Sequence, residues 1–172
     1  MRIPLSVLDL APVPQGGTAS ESIRRTVDLA QLAEKLGYAR VWYAEHHGMP
    51  SVASAAPELL IAHAAAATRT LRIGSGGIML PNHTSLKVAE TFRTLAALHP
   101  DRIDLGLGRA PGSDQAASRA LEASDGHDFS EQLLELLAFC GHTEFEAGHP
   151  FRSVKAIPED VPLPPIWILG SS

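Results

Sequence analysis

Val41-Trp42-Tyr43-Ala44-Glu45-His46-His47 is the stretch whose reading decides the fold. Val41 to Ala44 are apolar or β-favouring, and Gly37-Tyr38 ahead of them close a helix. Residues 40–44 therefore read as a short buried strand. Its end turns polar all at once, with one carboxylate and two imidazoles. Buried charge is costly unless paired, so polar residues at the end of a buried strand point to a site. In parallel α/β folds, ligands bind at the C-terminal ends of the strands.

Working outward, the segments alternate. Residues 3–10 read as strand one, followed by a loop with Pro12, Pro14, Gly16 and Gly17. Thr18 and Glu21 form a capping box that opens helix one. Ile23, Val27, Ala30 and Ala33 recur along it at helical spacing, and Gly37 is its C-terminal cap. Helix two begins near Pro57 and runs through the alanines at 64–67, a small-residue surface that permits close packing. Residues 71–79 read as strand three, 85–98 as helix three with Thr84 as N-cap, and 102–107 as strand four. A short helix at 115–123 follows the loop 108–114. Asp128 and Glu131 then cap a leucine-rich helix at 129–140, which Gly141 stops. An irregular, proline-rich connection at 143–165 leads to strand five at 166–169. This β-α-β-α-β-α-β-α-β order gives a parallel sheet with right-handed crossovers, its helices on the convex face.

Composition sets the outer bounds. The chain has 172 residues, 45% hydrophobic and 19% charged, with a formal net charge of −5. Length and composition suit a single globular domain. No basic cluster interleaved with aromatics occurs, which argues against nucleic acid as a partner. No apolar run approaches the roughly 20 residues that span a bilayer, and Asp9 interrupts the N-terminus too early for a signal peptide. Cys140 is the single cysteine, so no intrachain disulfide forms and a cytoplasmic protein is expected. On its leucine-rich helix Cys140 reads as packing.

Three motifs carry chemistry. Neighbouring side chains on a strand point to opposite faces, so His46 and His47 do not share one metal ion, and no zinc-spaced set occurs elsewhere. Acid/base chemistry fits better, because a histidine titrates near neutrality. His46 is the candidate, since it shares parity with Trp42 and Ala44, and His47 takes the structural role. Gly106-Leu107-Gly108-Arg109-Ala110-Pro111-Gly112 fails as a dinucleotide fingerprint, because Pro111 fills the third glycine position. As an anion site it is better: the glycines admit a phosphate to the backbone and Arg109 offers a bidentate fork. Gly74-Ser75-Gly76-Gly77 is unusual within a strand, and implies either a ligand lying close against it or a bulge. His63, His99, His127, His142 and His149 read as surface or packing residues.

Together, 41–47, 74–81, 102–109 and 165–172 resemble, in order and spacing, the bacterial luciferase-like flavin-dependent monooxygenases. The resemblance covers the whole chain but only about the first half of a family member. It implies a (β/α)8 TIM-type barrel, here truncated after the fifth strand, with residues 1–172 as its N-terminal part. It implies reduced FMN as cofactor, supplied by a separate flavin reductase, and oxygenation of a small organic substrate of aldehyde or ketone type. By the same resemblance His46 performs acid/base work around the flavin. Ala44 and a cis Gly76–Gly77 peptide lie against the ring, and Arg109, Ser171 and Ser172 hold the phosphate. The luciferases carry a carboxylate at Ser171 and a reactive cysteine at Gly108, so light emission is not expected. The resemblance, with the alanine run, also implies a homodimer through helices two and three. Two other readings stay open: a deazaflavin-dependent hydride-transfer enzyme on the same scaffold, and a non-catalytic flavin-binding protein.

Overall fold

The structure, a computed structural model, describes residues 3–110, 112–124 and 128–170. The strands are β1 (Ser6–Asp9), β2 (Arg40–Tyr43), β3 (Arg72–Ser75), β4 (Ile78–Met79), β5 (Ile103–Gly108) and β6 (Ile166–Ile168). The helices are α1 (Ala19–Lys35), α2 (Pro57–Ala67), α3 (Ser85–Leu98), α4 (Gln115–Ala120) and α5 (Phe129–Phe139), with a 3₁₀ turn at Leu80–Asn82. All named strand pairs are parallel, in the order β1-β2-β3-β5, with β4 and β6 also pairing with β5. The expected alternation of strand and helix is present, in a parallel α/β sheet.

Alternation within the strands separates two faces. Val41, Tyr43, Ile73, Ile103, Leu105 and Leu107 join one buried cluster with Ala30 and Ala33 of α1, Ile61 and Ala64 of α2, and Phe92 and Leu95 of α3. Burying one such large apolar side chain contributes about 1.5–3 kcal/mol. The opposite parity carries Leu8, Trp42, Asp104 and Trp167, and Leu8 remains 53% exposed. On this face the buried Asp104 carboxylate accepts from Trp42 Nε1 at 3.1 Å and Arg72 Nε at 3.0 Å. Trp42 and Trp167 meet edge to face with centroids 5.5 Å apart.

Strand three, read from sequence as one run over 71–79, is broken in two. Gly74 pairs with Asp104, and the next pair is Ile78 with Leu107. Ser75, Gly76 and Gly77 thus oppose only Leu105 and Gly106, which is a bulge of one extra residue. Ile73 and Ile78 both enter the helix-side core, although an odd separation would place them on opposite faces of a regular strand. The Gly76–Gly77 peptide is cis. Ser75 bridges the gap in the ladder: its buried hydroxyl donates to the Gly106 carbonyl at 2.8 Å and accepts from the Gly106 amide at 2.9 Å.

Caps follow the sequence in part. Thr18 and Glu21 make both bonds of the capping box, at 3.2 and 3.1 Å. Thr84 and Asp128 occupy their N-cap positions without a side-chain bond. The short helix α4 stops at Ala120 and is capped by Asp114 instead. Of the four alanines at the end of α2, Ala64 and Ala65 are buried in the chain's own core. Arg102, quoted within a site motif, is structural: it binds the carbonyls of Ala65, Thr68 and Leu71 and ties α2 to β3.

Candidate functional site

Glu45 follows β2 and is fully buried. Its carboxylate gathers four donors from two segments. Oε1 accepts from His47 Nε2 at 2.8 Å, His83 Nε2 at 2.9 Å and Asn82 Nδ2 at 2.9 Å. Oε2 accepts from the Met79 amide at 2.8 Å. Burial opposes the charge on Glu45, but the His83 bond and charge, with Asn82 and His47, outweigh it and hold the carboxyl below its ordinary value. Burial likewise opposes protonation of His83, and the Glu45 bond and charge overcome it, so the imidazole is held above its ordinary value. The result is a buried ion pair that clamps the end of β2 to the turn after β4.

That clamp has a pH signature. A histidine raised in the folded state contributes stability that is full below its ordinary value of 6.5 and fades as pH rises through its folded value. A carboxylate lowered in the folded state contributes stability that is full above 4.5 and fades as pH falls through its folded value. The stability difference between the native protein and Glu45→Gln should therefore be largest between about pH 4.5 and 6.5. Urea melts of both proteins across pH 4–9 check this, and a pH-independent difference would contradict the ion pair.

His46 lies beside this clamp and outside it. Its amide donates to the Ser54 carbonyl at 3.0 Å, and its Nδ1 lies 3.1 Å from the Gly112 carbonyl oxygen. A carbonyl only accepts, so this bond assigns the proton to Nδ1 and leaves the lone pair of the neutral ring on Nε2. The ring is half-buried. His47 is bound to Glu45, whereas the His46 ring bonds the Gly112 carbonyl through one nitrogen.

Arg109 follows β5 and is exposed. Among the described residues it makes no hydrogen bond or ion pair. Its side chain lines a cavity of about 610 Å³ together with Met79, Gly108, Leu169, Gly170 and Ser130. The cavity sits at the C-terminal ends of β4, β5 and β6, beside the first turn of α5. A Cβ on Gly108 would lie 2.7 Å from Met79 Sδ, so glycine keeps that wall closely packed.

The sequence-predicted residues fall into three groups. Arg109 is on the cavity. His46 and Ala44 stand at the neighbouring strand end, with Ala44 buried and its amide bonded to Asp9 O at 3.0 Å. Gly76 and Gly77 are buried in the bulge, where a Cβ on Gly76 would come within 3.0 Å of Trp42 Cβ and one on Gly77 within 2.9 Å of Gly106 O. Ser171 and Ser172 lie outside the described residues. Two functional candidates escaped the sequence reading. His83 pairs with a carboxylate 38 positions away, which no local pattern reveals, and Ser130 reaches the cavity because α5 packs against α3 and the Leu80–Asn82 turn. Among the described residues no group of histidine, cysteine and carboxylate side chains is arranged to hold a metal ion, and no helix is long and apolar enough to cross a membrane.

Comparison with known proteins gives consistent matches. The family model described as luciferase-like monooxygenase matches residues 3–172. A luciferase-like monooxygenase of Escherichia coli strain K12 is 50% identical over 173 aligned residues, covering 99% of this chain and 50% of that protein. The N-acetyl-S-alkylcysteine monooxygenase of Bacillus subtilis strain 168 is 43% identical, covering 99% of this chain and 52% of that protein. Among solved structures, apo-MsnO8 superposes with a TM-score of 0.86 at 44% identity, covering 99% of this chain and 50% of that chain. The chain spans about half the length of the curated relatives it matches.

Proposed function

Because the chain belongs to the luciferase-like monooxygenase family, we propose that it forms the N-terminal part of a (β/α)8 barrel domain that uses reduced FMN and dioxygen to oxygenate a small organic substrate in the cytoplasm. The observation that carries this reading is the Arg109 guanidinium, without a partner among the described residues, on a cavity at the strand ends. A fork of N–H donors without a protein acceptor suits a phosphate. Gly108 and Gly170 present backbone to the same cavity, and Ser130 offers a hydroxyl. These residues fit the phosphate end of a flavin mononucleotide.

Reduced flavin, when bound, supplies the electrons that activate dioxygen. The chain's own residues bind and orient. Arg109 holds the anion and sets the depth of the cofactor. His46 Nε2 accepts or returns a proton at the reacting centre. A separate flavin reductase supplies the reduced cofactor, and the outer faces of α2 and α3 pair two subunits.

The test uses the full-length protein with a flavin reductase, NADH, FMN and ¹⁸O₂, and a panel of aldehydes, ketones and thioethers. One labelled oxygen in a product supports the reading. Hydrogen peroxide alone with every substrate would favour a flavin-binding protein, and turnover only with a reduced deazaflavin would favour hydride transfer. Arg109→Ala should weaken FMN binding roughly 10- to 150-fold, the effect of about 1.5–3 kcal/mol for bonds to a charged group. Unchanged affinity in a fluorescence titration would place the phosphate elsewhere.

Pairing of subunits has its own check. With Ala64 and Ala65 spent in the core, the large apolar residues left outward are Leu59 on α2, 67% exposed, and Leu98 on α3, 63% exposed. Both border one groove with Lys87 and Glu90. Leu59→Lys should halve the mass seen in light scattering, and an unchanged mass would exclude this face.

A further inference from the structure

The loop after β5 does two things at once. It carries Arg109, and three residues later it presents a main-chain carbonyl to the ring of His46. Gly112 O accepts from His46 Nδ1 at 3.1 Å and from the His47 amide at 3.3 Å. Both lone pairs of that oxygen are thereby used, which fixes the direction of the carbonyl. Gly112 itself has φ +62°, and a Cβ there would stand 2.7 Å from the Glu45 carbonyl oxygen and 3.0 Å from Met79 Cγ. Backbone and space both require glycine. Glu45 and Met79 are in turn fixed to each other through the carboxylate–amide bond. The carbonyl that faces His46 is therefore held by the buried clamp on one side and by the Arg109 loop on the other.

We propose that Gly112 is a positioning residue whose carbonyl locks His46 in the Nδ1–H tautomer, so that Nε2 is the working nitrogen and the loop bearing Arg109 sets the protonation geometry of the histidine. A neutral imidazole free in water favours the opposite tautomer, with the proton on Nε2, so the bond to Gly112 is what reverses the preference. The proposal rests on the acid/base role given to His46 above, but the tautomer is measurable without any turnover.

The experiment is two-dimensional NMR of the full-length protein labelled with ¹⁵N-histidine, at a pH where the ring is neutral, with His46 assigned by the signal lost in His46→Ala. The native protein should show a protonated Nδ1 and an unprotonated Nε2. Gly112→Ala should move the population to the Nε2–H form and lower kcat about tenfold or more, within the range of general acid/base help. Ser113→Ala is the loop control. Among the described residues its hydroxyl meets that of Ser118, at 2.9 Å, and not the His46 ring, so the change should leave the tautomer as it is. An Nε2–H ring in the native protein would overturn the proposal even if Gly112→Ala fails to fold, and so would an Nδ1–H ring that persists in folded Gly112→Ala. If the Nδ1–H ring is found but no flavin-dependent turnover occurs, the placement by Gly112 stands and the functional reading fails.

Discussion

Oxygenation by His46→Ala is expected to fall about 10²–10⁴-fold, the usual contribution of a positioned general acid or base, while FMN affinity stays as in the native protein. The expectation follows from the separation seen in the site. The His46 ring bonds the Gly112 carbonyl through one nitrogen only, and it lies outside the cavity that holds Arg109. Removing it takes away a proton carrier without touching the anion site. His47 is no ready substitute, because its Nε2 is already bound to the buried Glu45 carboxylate at 2.8 Å. Stopped-flow turnover and equilibrium FMN titration of the same preparation separate the two effects. Native turnover in the variant would remove His46 from the chemistry, and a loss of FMN affinity in step with rate would recast it as a binding residue.

The largest effect on stability is expected at Gly106. A Cβ there would lie 2.1 Å from the Ser75 carbonyl oxygen, a separation that no side-chain rotation relieves, because the oxygen is backbone and the backbone of Gly106 fixes the Cβ. The methyl group must force β3 and β5 apart, and the Ser75 hydroxyl then loses both its bonds to Gly106. Overpacking and unpaired buried polar groups act together, so Gly106→Ala should cost about 4 kcal/mol or more, at the far end of what single substitutions do. Gly170→Ala, where a Cβ meets nothing within 4 Å, is the control. Urea midpoints measure both. A Gly106→Ala midpoint equal to that of the native protein would show that the two strands are not so closely apposed.

The parts legible in the sequence are those set by local pattern. The apolar, β-favouring run Val41 to Ala44 after the helix end at Gly37-Tyr38 placed β2 and its polar end. The capping box at Thr18 and Glu21 placed the start of α1. The place of Arg109, among glycines just after a strand, was legible from the same local pattern. What stayed hidden depends on partners distant in the chain. The Glu45–His83 pair spans 38 positions. Thr84 and Asp128 have the right residue type for a cap, yet their side chains make no cap bond. The alanines of α2 read as a small-residue surface for close packing, but the sequence did not say against what; two of them pack into the chain's own core. Gly74 to Gly77 announced an irregularity, but its form depended on counting residues against β5, which no single strand contains.

That count reaches beyond this chain. Because Ser75, Gly76 and Gly77 stand opposite two residues, every side chain after them is turned over relative to a regular strand, which is why Ile78 is in the core and Met79 faces the cavity. Losing or gaining one residue there would return Met79 to the helices and push Ile78 toward the cavity, whereas a change of two would leave both where they are. In the history of the family, the segment joining these two strands is therefore free to change length only by even numbers. A relative with a single-residue gap at this point, and with its Met79 counterpart still on the cavity, would break the rule.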